Sequence, residues 1–388
     1  MIKITFTNGF RLSFSILLVV ISFLASSSCY VNKNTRDAGS VKETPSTVLS
    51  LIPSEGNPRN SEGDFINLKD GRIMFIYSHY TGSSTSDHAP AYLAARYSFD
   101  KGRTWTEEDE IILENEGVMN VMSVSLLRLQ NGTIALFYLR KNSIEDCIPM
   151  MRISNDEGQT WSDTHACITD KQGYFVLNND RVIQLEDGRL LMPVALHKVH
   201  NGEWQDIAEL YCYYSDDSGK TWISSLQVPN KTDLITQEPG LIEMKDGRIM
   251  MYIRASGGFQ QLSFSSDNGE SWSHIEQSNI HSPLSPATIE KILDTNDWLL
   301  VWNNNDGSNS ETKNKRTPLT IAISKDEGKS WEKIKNIEDN TDGWYCYISI
   351  HFVDNDKILL GYCAGSQSKN THLSVTDIRS LTKEWLYK

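Results

Sequence analysis

SNDEGQTW, residues 154–161, carries a pattern that returns four times elsewhere: SFDKGRTW (98–105), SDDSGKTW (215–222), SSDNGESW (265–272) and SKDEGKSW (324–331). All five copies keep Ser-x-Asp-x-Gly-x-Thr/Ser-Trp. These residue types describe a tight turn. The aspartate accepts hydrogen bonds from turn amides, the glycine permits a left-handed backbone, and the tryptophan packs beneath. Five copies make the motif architecture, so Asp100 and Asp156 read as structural acids rather than catalytic ones.

A second repeat surrounds the first. Apolar runs flank a turn in NLKDGRIMF (67–75), RLQNGTIALF (128–137), QLEDGRLLM (184–192), EMKDGRIMM (243–251), ILDTNDWLLVW (292–302) and FVDNDKILLGY (352–362). Asp-Gly and Asn-Gly between apolar runs signal hairpins. Each of the first five hairpins is followed by one of the eight-residue boxes. Every unit therefore reads as strand, turn, strand, loop, strand, box, strand. The prediction is an all-β chain forming a six-bladed β-propeller with Asp-box turns. The stretch Val48–Pro53 is expected to complete a blade and close the ring.

This topology sorts side chains by face. Hairpin turns and boxes share one face. The starts of first and third strands and the ends of second strands share the other, where a propeller holds its ligand pocket. Arg59, Asp87, Glu238, Arg254, Arg316 and Tyr345 all fall at such positions. Further polar residues stand there without an assigned partner: Glu62, Asp64, Asn120, Asn178, Asn179, Asp180, Arg181, His197 and residues 303–306. Of these, Asp180 and Arg181, in the polar strand entry NNDR, are expected to contact a sugar.

Composition narrows the partners. The chain has 388 residues and a formal net charge of -13, which excludes a phosphate-neutralising surface for nucleic acid. A few local arginines can still reverse the field inside one pocket. Lys3 and Arg11 precede an apolar run from Leu12 to Leu24, followed by Ala25-Ser26-Ser27-Ser28-Cys29. That is a secretory signal over 1–28, with Cys29 placed for lipidation as in a bacterial lipoprotein. Residues 29–46 read as a flexible tether and 47–388 as the propeller. The expected location is the periplasm or outer membrane, with the membrane touched only through the lipid.

Five cysteines follow Cys29. Cys147 with Cys167, and Cys346 with Cys363, flank hairpin turns and read equally as cross-strand disulfides or buried thiols. No CxxC or histidine cluster has zinc spacing, so neither a metal nor a cofactor is expected.

With its five boxes and the open-face set, the chain resembles the sialidase (neuraminidase) superfamily, in its BNR-repeat branch, over roughly residues 55–370. The resemblance implies an arginine triad, Arg59, Arg254 and Arg316, for a substrate carboxylate. It implies Asp87 as acid/base, Glu238 as the partner of a tyrosine nucleophile, and Tyr345 as that nucleophile, in the frame Tyr345-Cys346-Tyr347-Ile348. Trp344 and Tyr347 compete for the same place. The chain departs from the pattern at the first arginine: PRNSEGDF (58–65) lacks the usual Arg-Ile-Pro. The chemistry is coherent. An anionic nucleophile would be repelled by a carboxylate on the anomeric carbon, whereas a phenol is neutral near pH 7. The implied activity is an exo-glycosidase releasing terminal α-linked sialic acid or a related acidic sugar. The rivals are a hydrolase or lyase for uronic or sulfated polysaccharide, and a carbohydrate-binding propeller without catalysis.

Overall fold

The Asp70-Gly71 turn joins strands Asn60–Asn67 and Ile73–Tyr80, which pair antiparallel, and Gly71 takes the left-handed φ of 90° that such a turn requires. Antiparallel pairing across the turn recurs at every predicted hairpin of the computed structural model, which describes residues 45–388, and the next three hairpins also carry a left-handed glycine, Gly132, Gly188 and Gly247. The expected signal segment, the expected lipidation at Cys29 and the expected tether up to residue 44 lie outside the described residues. Among the described residues no helix is long and apolar enough to cross a membrane. One short helix, Lys383–Tyr387, closes the chain.

Four sheets have four strands each. Asn60–Asn67, Ile73–Tyr80, Ala91–Ser98 and Glu110–Leu113 make the first, in sequence order. Sheets beginning at Thr236 and Thr288 follow the same meander. The second and third repeats merge into one larger sheet, because Tyr174 pairs in parallel with Cys147. The last sheet takes its fourth strand from the other end of the chain: Ser46–Leu51 pairs with Thr376–Thr382. The expected segment thus completes a four-stranded sheet, starting two residues earlier than Val48.

Strand residues of successive repeats interleave their apolar faces. Ile76 and Leu93 pack with Val124 and Leu136, Phe137 and Met151 with Phe175 and Met192, and Leu191 and Leu210 with Ile249 and Ile253. The series continues with Met250 and Tyr252 against Trp298 and Leu300, then Val301 and Ile323 against Ile350 and Leu360. It ends where Phe65 and Phe75 of the first sheet meet Leu359 and Ile378 of the last. Burial of such side chains stabilises each interface by about 1.5–3 kcal/mol per residue.

Each box folds as its residues dictate. In the first, Ser98 Oγ donates to Asp100 Oδ1 at 2.9 Å, Asp100 Oδ1 accepts from Thr104 N at 2.8 Å, and Ser98 Oγ accepts from Gly102 N at 2.8 Å. The bonds of the third box, around Asp217, are the same. The five late cysteines are buried free thiols. Cys346 does stand directly opposite Cys363 across two strands.

Candidate active site

The innermost strands are not regular. Pairing slips between Ser61 and Asp64, Met122 and Ser125, Gln237 and Pro239, and Cys346 and Ser349. Inside each slip one non-glycine residue is left-handed: Glu62 (φ 56°), Ser123 (φ 59°), Glu238 (φ 39°) and Tyr347 (φ 56°). Such bulges re-aim a side chain at some cost in backbone strain, and they gather at functional sites. All four residues line one cavity of about 270 Å³, together with Asp87, Lys141, Arg254 and Arg316. Tyr174, His197 and Trp204 make an aromatic wall. Trp204 stacks on His197 at 4.4 Å and meets the Tyr174 edge at 4.5 Å. A neighbouring cavity of about 440 Å³ shares Tyr174 and His197 but contains no arginine.

One side of the pocket joins a phenol to a carboxylate. Tyr347 Oη donates to Glu238 Oε1 at 3.2 Å. Glu238 Oε2 lies 2.8 Å from Arg254 Nη1. The Arg316 guanidinium is 5.5 Å from the Tyr347 ring centre and 5.4 Å from that of Trp344. Burial would raise Glu238, but Arg254 and Arg316 outweigh it and hold the carboxyl below its usual range. Burial and the Glu238 charge push the Tyr347 phenol well up. The pair therefore rests as neutral phenol and carboxylate. Arg316 Nη1 and Arg254 Nε are buried and have no hydrogen-bond partner among the described residues.

The opposite side is built on Arg59. Its Nη1 donates to Asp87 Oδ1 at 2.5 Å, its Nη2 to Glu62 Oε1 at 2.9 Å and its Nε to Ser61 Oγ at 3.0 Å. Arg59 itself is fully buried, whereas Asp87 lies on an exposed loop between residues 81 and 90. Burial would raise Asp87, but Arg59 outweighs it and lowers the carboxyl. Burial dominates at Glu62, whose carboxyl is raised despite Arg59.

Of the residues expected at the site, Asp87, Glu238, Arg254 and Arg316 line the cavity, and Arg59 reaches it through Asp87 and Glu62. Tyr345 does not. Its ring lies over Gly343 and packs with Tyr362, in the core between the last two sheets. Tyr347 holds the place beside Glu238 because the bulge turns it inward. Asp180 and Arg181 are also misplaced as sugar contacts. Arg181 donates to Thr288 Oγ1 at 3.1 Å and the Ala287 carbonyl at 2.7 Å. Asp180 Oδ2 accepts from Ile350 N at 3.0 Å. Both tie inner strands together. Glu62, Asn178 and His197, unassigned in the sequence, do line the cavity, as do Ser123, Lys141, Tyr174 and Trp204, which sequence reasoning missed. One signal was available: Glu62, Ser123 and Glu238 each stand eight residues before the Asp or Asn of the next hairpin turn, and Tyr347 stands seven before Asp354. Among the described residues no cluster of His, Cys, Asp and Glu could hold a metal ion.

The chain is similar to known proteins in sequence and in fold. The family model described as a BNR repeat-like domain matches residues 96–360. A sialidase of Paraclostridium sordellii is 27% identical over 230 residues, covering 53% of this chain and 55% of that protein. A sialidase of Micromonospora viridifaciens is 24% identical over 331 residues, 72% of this chain and 49% of that one. The match thus spans about half the length of these relatives. The solved structure of the Hadza microbial sialidase Hz136 superimposes with a TM-score of 0.68 at 17% identity, over 85% of this chain and 66% of that one. The chain belongs to the BNR repeat-like family of the sialidase superfamily.

Proposed function

We propose that the protein is an exo-glycosidase of sialidase type, built as a six-bladed propeller, whose nucleophile is Tyr347. The observation that carries this reading is the 3.2 Å hydrogen bond from Tyr347 to Glu238, with Arg254 and Arg316 alongside. Arg254 and Arg316 take the carboxylate of a terminal acidic sugar, and Arg59 contributes a share of its charge from behind Asp87. Glu238 removes the phenolic proton as Tyr347 Oη attacks the anomeric carbon. Asp87 protonates the departing glycosidic oxygen, then deprotonates the water that releases the sugar from Tyr347. Two inversions give retention. The sequence before Cys29 supports action outside the inner membrane, on a lipid anchor.

The test is hydrolysis of an aryl α-sialoside, followed by proton NMR of the first-formed anomer. The α-anomer is expected, and β-sialic acid as first product would contradict the mechanism. Glu62 motivates a second substrate in the same assay. It shares Arg59 with any incoming acid, so an aryl uronide cleaved in preference to the sialoside would reassign the sugar.

A further inference from the structure

Lys141 is a buried ammonium that the reaction above does not use, and it makes no ion pair among the described residues. Burying a charge without a counter-ion is unfavourable, so its surroundings call for an explanation. Its Nζ donates to the main-chain carbonyl of Asp87 at 2.8 Å, lies 3.2 Å from Met122 Sδ and faces the Tyr174 ring at 5.3 Å. Asn120 stands directly opposite Lys141 on the neighbouring strand. Its Nδ2 donates to the same Asp87 carbonyl at 2.9 Å and to the Ala89 carbonyl at 2.8 Å. Asp87 sits in a loop whose residues 82–88 are all exposed. A loop without packing of its own drifts unless something fixes it.

We propose that Lys141 and Asn120 are positioning residues that clamp the Asp87 carbonyl from the second sheet and so hold the acid/base carboxyl at the glycosidic oxygen. The clamp uses both acceptor positions of that carbonyl, and an ammonium gives the stronger, charge-assisted bond. It also keeps positive charge near Asp87 when a substrate carboxylate draws on Arg59. This inference rests on the glycosidase reading of Asp87.

Leaving groups provide the test. A phenolate of low pKa departs with little help, whereas a sugar alkoxide needs its proton, so misplacing the acid penalises natural linkages selectively. Wild type, Lys141→Met, Asn120→Ala and Asp87→Ala are compared on sialyllactose and on an activated aryl α-sialoside, with thermal melts to verify folding. Each clamp variant should lose at least about tenfold in kcat/KM on sialyllactose, part of the roughly 10²–10⁴-fold that general acid catalysis contributes, and clearly less on the aryl substrate. In the Asp87→Ala background, Lys141→Met should add no further selectivity. Equal losses on both substrates in folded clamp variants, with Asp87→Ala still selective, would overturn the clamp and leave the acid assignment standing. An Asp87→Ala variant without selectivity, or a wild type that cleaves neither substrate, would overturn the catalytic reading itself and the clamp with it. Should Lys141→Met fail to fold, Asn120→Ala decides alone by the same ratio.

Discussion

Tyr345 and Tyr347 differ by two positions, and a regular strand would point both the same way. The bulge between Cys346 and Ser349 separates them: one enters the core between sheets, the other the cavity. Phenylalanine at each position tells their roles apart. Tyr347→Phe should lose at least about a hundredfold in kcat/KM, since the nucleophilic oxygen is gone. Tyr345→Phe should keep near-wild-type activity and stability within about 0.5 kcal/mol, because the Tyr345 hydroxyl makes no hydrogen bond among the described residues. Steady-state kinetics and denaturant titration check both. In the proposed mechanism the flanking arginines set the pH limbs. There Glu238 acts ionised and is held low by Arg254 and Arg316, so Arg254→Met should move the acid limb of kcat/KM to higher pH. Asp87 must be protonated and is held low by Arg59, so Arg59→Met should move the alkaline limb to higher pH. Substrate affinity should fall in both variants.

At the scale of the element, the boxes and hairpins were legible because their residues act locally. Ser, Asp, Gly and Trp satisfy one another within eight residues, whatever surrounds them. Asp217→Ala should therefore cost stability only, about 1–2 kcal/mol by thermal melting, with kcat/KM unchanged. Asp217 is held down to about 2 because its turn bonds outweigh burial. Its contribution is thus complete above pH ~4, the unfolded carboxylate value, and is lost as pH falls toward 2. Bulges were less legible, since strict alternation breaks where a pairing slips, and that is where Glu62 and Tyr347 lie. Lys141 and Trp204 were unreadable for another reason. Their roles depend on contacts with Asp87, on a loop of the first repeat, and with His197 on another strand, which no local pattern encodes. A further repeat looks catalytic and is not. Tyr77–Asp109–Arg96, Tyr138–Glu116–Arg152 and Tyr362–Glu338–Arg379 each place a tyrosine hydroxyl 2.6 Å from an acid that also pairs with an arginine. Recurrence in three sheets marks these networks as structural.

Across the whole molecule, the inner strands are laced below the pocket. Asn179 Nδ2 donates to the carbonyls of Gly63 and Tyr347, Thr288 Oγ1 donates to the Ile348 carbonyl, and Asp64 Oδ2 accepts from Leu126 N. Asp64, Asp180 and Glu290 lie close enough to repel one another there. Burial is the main cause that raises all three, with Asp180 near 6 and Glu290 near 8. These acids hold protons in the fold that they release on unfolding. Their contribution is full below pH ~4 and is lost as pH rises toward 8. The melting temperature should therefore fall between pH 5 and 8, and Glu290→Gln should flatten that slope. A slope unchanged in the variant would mean that Glu290 is ionised in the native state.

In the proposed mechanism Tyr347 becomes covalently attached to the sugar. A sialosyl fluoride carrying a second fluorine at C3 slows both steps while retaining a good leaving group, so the sugar–enzyme species should accumulate. Peptide mapping by mass spectrometry after this reaction should find the added sugar on Tyr347. Label on Tyr345 or on a carboxylate, or rapid turnover with no labelled peptide, would rule out Tyr347 as the nucleophile.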